Sequence, residues 1–326
     1  MTDLRAALAA AVARLAAAGV PSPRFDAEEL AALSLAVDRR ELWRHDAPGE
    51  DFEAYVERRA AREPLQHITG RAYFRHLTLA VGPGVFVPRP ETEVVAGVAI
   101  DAATSVHDDT GRSPVVVDLG TGSGAIALSV ADELPAATVL AVEADPAAHA
   151  WAQRNCAGSA VQLRLGDMAD AFAELAGTVD VVVSNPPYIP LGAHIRDAEV
   201  AGHDPAPALW SGEDGLDAIR VVERVAARLL RAGGVVVVEH ADVQGAAAPA
   251  VFADTGRWRD VEDHRDLAGR DRYVTAVRAH LTADPAARRG DGCEDAPRDL
   301  GPALRHGRPG GAGDRSGRGS QCRPPW

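Results

Sequence analysis

The sequence predicts an α/β fold, with a parallel, doubly wound sheet following a small helical domain. Three observations carry this expectation. From Pro114 onward, short Val-rich runs alternate with helical stretches. Strands that are apolar along their whole length belong to parallel sheets covered on both faces. A Gly-rich turn joins the first of these strands to its helix, where open α/β sheets bind nucleotides. Before Pro114, about sixty residues keep helical rather than strand periodicity.

Taken in order, residues 2–62 read as helices. Leu4, Leu8, Val12 and Leu15 recur on one helical face, and Gly19 with Pro21 ends that helix. A second helix from Pro23 is expected to bury Leu30, Leu33 and Val37. Two shorter ones follow over Arg40–Arg44 and Asp51–Arg62. Phe74, Leu77, Leu79 and Val81 predict a hairpin with Gly82-Pro83-Gly84 as its turn. Strands are then expected at Val115–Leu119, Thr138–Glu143, Val161–Leu165, Val179–Ser184 and Val235–His240. The helices between them run through Asp132, from Pro146, near Asp170–Leu175 and over Leu216–Leu230. "WRDVEDH" and "RYVTAVRA" close the sheet. No crossover helix separates them, so an antiparallel pair is expected. The expected domains are a helical domain over 1–72, a β-hairpin linker over 73–88 and a catalytic domain over 89–280. The Gly- and Pro-rich stretch 281–326 has almost no apolar periodicity and reads as a disordered tail.

At 326 residues and 46% hydrophobic, the chain can bury one large core and one small one. A formal net charge of −13 argues against a protein that lives on nucleic-acid phosphates. Cys156, Cys293 and Cys322 are scattered, which gives neither a disulfide framework nor a zinc pattern. No metal is expected. Asp3, Arg5 and Arg14 break up the Ala-rich N-terminus, and no run of 18 apolar residues occurs. A cytoplasmic protein is the expectation, without a membrane or direct nucleic-acid partner. No apolar interface stripe is left over, so a monomer is expected.

"VVVDLGTGSGAIAL" reads as strand, turn and helix, with Gly120, Gly122 and Gly124 letting a ligand approach the backbone. Thr121 and Ser123 complete the loop. One strand later Glu143 ends "LAVE", where an acid can accept hydrogen bonds from ribose hydroxyls. Together these predict an adenosine across the strand C-termini. The G-x-G-x-G spacing has Ala125 where the dinucleotide fingerprint approaches its third glycine, so a nicotinamide oxidoreductase is the weaker reading. Asp118 could organise the loop or approach the ligand. Asp167 and Met168 follow the third strand, placed to flank an adenine.

"VDVVVSNPPYIP" ends a buried strand on Asn185, Pro186, Pro187 and Tyr188, at the same edge as the Gly loop. Prolines fix φ and lack N–H donors, so a carbonyl here stays free. The Asn185 side chain offers a second acceptor. Two fixed acceptors suit a planar –NH₂ group, and Tyr188 can stack on it and exclude water. The chemistry that fits is attack by a weakly nucleophilic –NH₂ on an electrophile carried by an adenosine cofactor. S-adenosyl-L-methionine meets that description, and alignment then does most of the catalysis.

"DLGTGSGAIAL", "VSNPPYIP", "PRPETE" and "EDGLDAIR" together resemble the PrmC/HemK protein-glutamine methyltransferases. The likeness runs from about residue 1 to 279 and includes "REPLQHITGRAYF" and "HRDLAGRDRYVTA". NPPY alone is shared with amino-methyltransferases of DNA and RNA. The resemblance implies a Rossmann-like class I methyltransferase fold with a seven-stranded, mostly parallel sheet. It implies S-adenosyl-L-methionine as cofactor. The implied substrate is the glutamine of the Gly-Gly-Gln motif in class 1 peptide-chain release factors, recognised through the helical domain. Gly120 to Gly124, Glu143, Asp167, Met168 and Asn185 would hold the cofactor. Asn185, Pro186 and Tyr188 would be catalytic, with Pro187, Arg89 and Glu91 completing the substrate site. The family often has Asp at the position of Glu143 and Trp at that of Met168; here the carboxylate is kept and the aromatic stack is not. A ribosomal-protein glutamine, or an exocyclic amino group of nucleic acid, is the alternative substrate.

Overall fold

In the computed structural model, residues 3–280 are described. The stretch expected to be disordered, with Cys293 and Cys322, lies outside them. Contacts group the described residues into one compact unit.

The chain opens with helices α1 (Leu4–Ala17), α2 (Pro23–Leu35), α3 (Phe52–Ala60) and α4 (Leu65–Thr69), with a 3₁₀ turn over Arg39–Arg44. Asp3 caps α1, Pro23 starts α2, and left-handed Ala36 ends it. Their shared core holds Leu4, Leu15, Leu30, Phe52, Val56 and Ile68. Leu8, Val12, Leu33 and Val37 are only half-buried at its edge. Ala7 and Ala11 take the buried face of α1 instead, because two helices approach more closely over alanine than over leucine or valine.

Strands β1 (Arg71–Phe74) and β2 (Leu77–Ala80) pair antiparallel. Their turn is Arg75-His76, with Arg75 at φ 51, and not Gly82-Pro83-Gly84. The two-residue link needs a left-handed position, and here Arg75 supplies it. The Arg75 guanidinium pairs with Glu133 and donates to the Glu93 carbonyl, which holds the strained turn in place.

Helix α5 (Pro90–Thr110) follows, an element the strand-and-motif reading does not assign. Its signals are present: Pro90 at the first position, Glu91 and Glu93 in the first turn, and Gly111 left-handed past the end. Next come β3 (Val115–Leu119), α6 (Ala125–Glu133), β4 (Thr138–Glu143), α7 (Pro146–Cys156), β5 (Gln162–Leu165) and β6 (Val179–Ser184). The helix expected near Asp170–Leu175 is only a 3₁₀ turn at Ala173–Leu175. Left-handed Phe172 precedes it, fully buried, and stops the segment from winding into a longer helix. The described residues end with α8 (Ala198–His203), α9 (Asp217–Leu229), β7 (Leu230–Glu239), α10 (Ala247–Ala253), β8 (Trp258–Arg265) and β9 (Asp271–Arg278). No helix among the described residues is long and apolar enough to cross a membrane.

The seven-stranded sheet has the order β5-β4-β3-β6-β7-β9-β8. Its first five strands are parallel, and β9 runs antiparallel to both β7 and β8. This is the Rossmann-like methyltransferase architecture. The strand order reverses between β3 and β6: the chain runs outward through β4 and β5, then returns to β3's other side. Ligands of open α/β sheets bind at such a reversal, outside the strand C-termini. Ser184 ties the two strand ends together there, its hydroxyl donating to the Leu119 carbonyl at 2.6 Å.

Candidate active site

A cavity of about 320 Å³ opens over the C-termini of β3, β4 and β6. The loops leaving those strands build it. After β3, Gly120, Gly122 and Gly124 have φ of 71, 58 and 89, a left-handed series that glycine alone adopts without strain. The Gly120 and Thr121 amides both donate to the Val142 carbonyl at 3.0 Å, which moors the loop to the end of β4. Asp118 braces it from below. Its carboxylate accepts from the Thr121 hydroxyl at 2.6 Å and from the Ala127 amide at 3.2 Å. It does not line the cavity, so of its two readings the structure shows the loop-organising one. Complete burial pushes its carboxyl up to about 7, with those hydrogen bonds opposing the shift.

Glu143 lines the cavity at the end of β4. Its two oxygens accept from the Gly122 amide at 2.8 Å and the Asp145 amide at 2.9 Å. Each carboxylate oxygen keeps a further lone pair for a ligand hydroxyl. Asp145 caps α7 through the Ala147 and Ala148 amides, and Asp167 and Met168 form the far wall after β5.

On the other side, Asn185, Pro186, Pro187 and Tyr188 line the cavity after β6. The Asn185 amide nitrogen donates to the Thr92 hydroxyl at 3.1 Å. That leaves its carbonyl oxygen for the cavity. No hydrogen bond among the described residues uses the main-chain oxygen of Pro186. The Tyr188 hydroxyl donates to Glu239 at 3.3 Å, and its carbonyl accepts from Gln244 at 3.1 Å. Burial and the neighbouring Glu239 hold the Tyr188 phenol far above its usual range, so it remains a donor.

Arg89 and Glu91, expected at the substrate site, are not in the lining. Arg89 pairs with Asp204 at 2.7 Å and stacks on Phe86, which does line it. Thr92 is the residue of "PRPETE" that reaches the cavity. Sequence reasoning missed Glu239, which only β7's register places under Tyr188. It also missed the outer wall of Pro205, Pro207 and Leu209, which has no motif.

Among the described lining residues, three are acids and none is Arg. That donor set fits a cationic adenosine ligand, with Glu143 for the ribose hydroxyls.

Residues 6–70 match the family model of the PrmC N-terminal domain, and residues 91–198 match that of the methyltransferase small domain. The release factor glutamine methyltransferase of Streptomyces coelicolor is 58% identical over 284 residues, covering 86% of this chain and 99% of that protein. The chain belongs to the release factor glutamine methyltransferase family. The family's member from Mycolicibacterium smegmatis is 51% identical, covering 85% of this chain and 99% of its own. A 4-amino-L-phenylalanine/4-methylamino-L-phenylalanine methyltransferase of Streptomyces pristinaespiralis is 47% identical over 235 residues, covering 72% and 80%. As a member of this family, the chain is a methyltransferase with S-adenosyl-L-methionine as methyl donor.

Proposed function

We propose that this enzyme methylates the side-chain amide nitrogen of the glutamine in the Gly-Gly-Gln motif of class 1 peptide-chain release factors. The observation that carries the reading is the Asn185 side chain, fixed by Thr92 with its carbonyl toward a cavity that also holds the Gly loop and Glu143. Family membership gives the substrate.

S-adenosyl-L-methionine, when bound, supplies a methyl group already activated by its sulfonium. Gly120 to Gly124, Glu143, Asp167 and Met168 would hold it. The chain's task is then alignment. The Asn185 side-chain carbonyl and the Pro186 main-chain carbonyl accept the two amide hydrogens and fix the nitrogen. Fixed so, the nitrogen would be aligned on the methyl group that the bound cofactor would supply, the new C–N bond replacing the C–S bond. Tyr188 covers the planar amide and excludes water. The methylated amide loses its proton to solvent, so the site needs no strong base. Residues 1–72 are the part assigned to substrate recognition, and the reading is of a cytoplasmic monomer.

An arylamine is the second reading. It rests on the 47%-identical relative and on a wall of Phe86, Pro205, Pro207 and Leu209, which suits a ring. Labelled S-adenosyl-L-methionine, offered with a purified release factor, with the same factor carrying Gln→Ala in its motif, and with 4-aminophenylalanine, separates the two. Label only on the intact factor supports the proposal. Label on the altered factor as well, or only on the arylamine, overturns it.

A further inference from the structure

After Tyr188 the chain leaves the cavity, and it returns at Leu209. The two ends of this excursion are tied together, the Ile189 amide donating to the Leu209 carbonyl and the Ser211 amide to the Ile189 carbonyl, each at 2.9 Å. On the return, Pro205, Pro207 and Leu209 form the outer wall of the cavity. Apolar burial does little for the stretch in between. Helix α8 buries no residue, and neither does the 3₁₀ turn over Ala206–Ala208. Across residues 191–208 the one buried residue is Asp204, a charged one, which Arg89 holds at 2.7 Å. The rest of the grip comes from the helical region. Glu199 on α8, its side chain 15% exposed, accepts from Arg59 at 2.7 Å and from Arg62 at 2.9 Å through the same oxygen. Both guanidiniums have other partners that fix them. Arg59 donates to Asp26 at 2.7 Å and to the Glu63 carbonyl at 2.9 Å, and Arg62 to the Gly19 carbonyl at 2.7 Å. Arg62 stands just past α3 at φ 68, where a helix end favours glycine. An arginine in that strained position points to a use for its side chain.

We infer that Glu199 is a positioning residue for the acceptor side of the site: through it Arg59 and Arg62 of the helical region grip α8, and so fix the wall of Pro205, Pro207 and Leu209 against which the substrate glutamine packs. The inference rests on the release-factor reading of the site. Glu199 touches no reacting atom. The helical region then contributes to recognition by placing the wall, in addition to any surface it offers the substrate directly. The Gly loop, Glu143, Asp167 and Met168 stand at the other side of the cavity, after β3, β4 and β5. Loosening α8 therefore acts on the acceptor and spares the cofactor.

The test compares wild type with Glu199→Gln, Arg62→Met and the double variant. All three keep the Arg59–Asp26 pair, so the helical core stays closed. For methylation of a purified release factor, KM is expected to rise about 10-fold in Glu199→Gln, with kcat and the Kd for S-adenosyl-L-methionine each within about 2-fold. Arg62→Met should raise KM about 3-fold, since Arg59 still holds Glu199, and the double variant should match Glu199→Gln alone. Hydrogen exchange read by mass spectrometry should quicken over residues 191–209 in Glu199→Gln, with β3 and β6 unchanged. A wild-type KM in Glu199→Gln would make the ion pairs a structural staple and overturn the inference. So would KM increases that multiply in the double variant, because Arg62 and Glu199 would then act on the substrate separately. Parallel losses of kcat and cofactor affinity would also overturn it, as a general loosening of the site. If wild type left the release factor unmodified, the substrate reading would fall. Faster exchange confined to residues 191–209 would still support the grip on α8, and unchanged exchange would overturn it.

Discussion

At the scale of single residues, the proposed mechanism divides the site's work between groups that would touch ligands and groups that hold them. Asn185 belongs to the first kind. Replacing it by Ala removes the acceptor but leaves the Gly loop and Glu143 in place. Methyl transfer should fall at least about 100-fold, the order seen when one positioned hydrogen-bonding group is lost. Cofactor affinity, read by calorimetry, should change only a few-fold. A matched fall in both would make Asn185 mainly a cofactor residue. Asp118 belongs to the second kind, and its burial has a cost. Its folded pKa lies above the ordinary aspartate value of 3.8, at about 7, so between those values the folded state binds more protons than the unfolded one. Stability from this group therefore falls as pH rises across that window. Asp118→Asn keeps an acceptor for Thr121 and Ala127 without the charge. Its stability relative to wild type should rise by a few kcal/mol between about pH 5 and 8. Urea denaturation at both pH values measures this, and a constant difference would show that Asp118 is not buried as a near-neutral acid.

At the scale of elements, the Gly loop is a left-handed series trapped between β3, β4 and α7. A Cβ on Gly124 would meet the Cys156 sulfur at 3.3 Å and a Leu128 methyl at 3.4 Å, at φ 89. Gly124→Ala should lose about 1–3 kcal/mol, seen as a lower thermal midpoint with weaker cofactor binding. A midpoint equal to wild type would mean that the turn relaxes freely. The hairpin and the loop are also one mechanical piece. Asn155 on α7 accepts from the Ala80 amide and donates to the Ala80 and Ser123 carbonyls. Helix α5 matters for the same reason: its first turn delivers Thr92 to Asn185 across 93 residues of sequence.

At the scale of the whole unit, the helical region is joined to the cavity wall by buried charge. Arg59 on α3 pairs with Asp26 on α2 and with Glu199 on α8, each at 2.7 Å, and Arg62 adds a second contact to Glu199 at 2.9 Å. Glu199 lies in the same excursion as Asp204, which Arg89 holds, and as the wall residues Pro205, Pro207 and Leu209. Burial raises the Asp26 carboxyl in spite of Arg59, so desolvation outweighs the partner there. Arg59→Met would leave Asp26 buried without its cation. The expected loss is about 3–5 kcal/mol, as for one partner removed from a buried pair. Glu199→Gln keeps the Arg59–Asp26 pair and should cost clearly less. If denaturation midpoints ranked the two variants the other way, the clamp would centre on Glu199 rather than Arg59.

Much of this was legible in the sequence because it is local. Val-rich runs make strands whatever surrounds them, Pro and Gly mark helix ends, and a glycine series after a strand dictates a turn. The Gly loop, Glu143 and Asn185–Tyr188 could be placed at one sheet edge from strand polarity alone. The hairpin turn was misplaced because its left-handed residue is Arg75, made tolerable by a distant Glu133. Arg89 and Glu91 resembled site residues, but the winding of α5 turns Thr92 to the cavity instead. Glu239 carries no motif, and only the pairing of β7 beside β6 brings it under Tyr188. The sequence by itself determined which groups stand at the strand ends. Only the tertiary structure decided which way the Asn185 amide points, because that direction is set by hydrogen bonds from residues far apart in the chain.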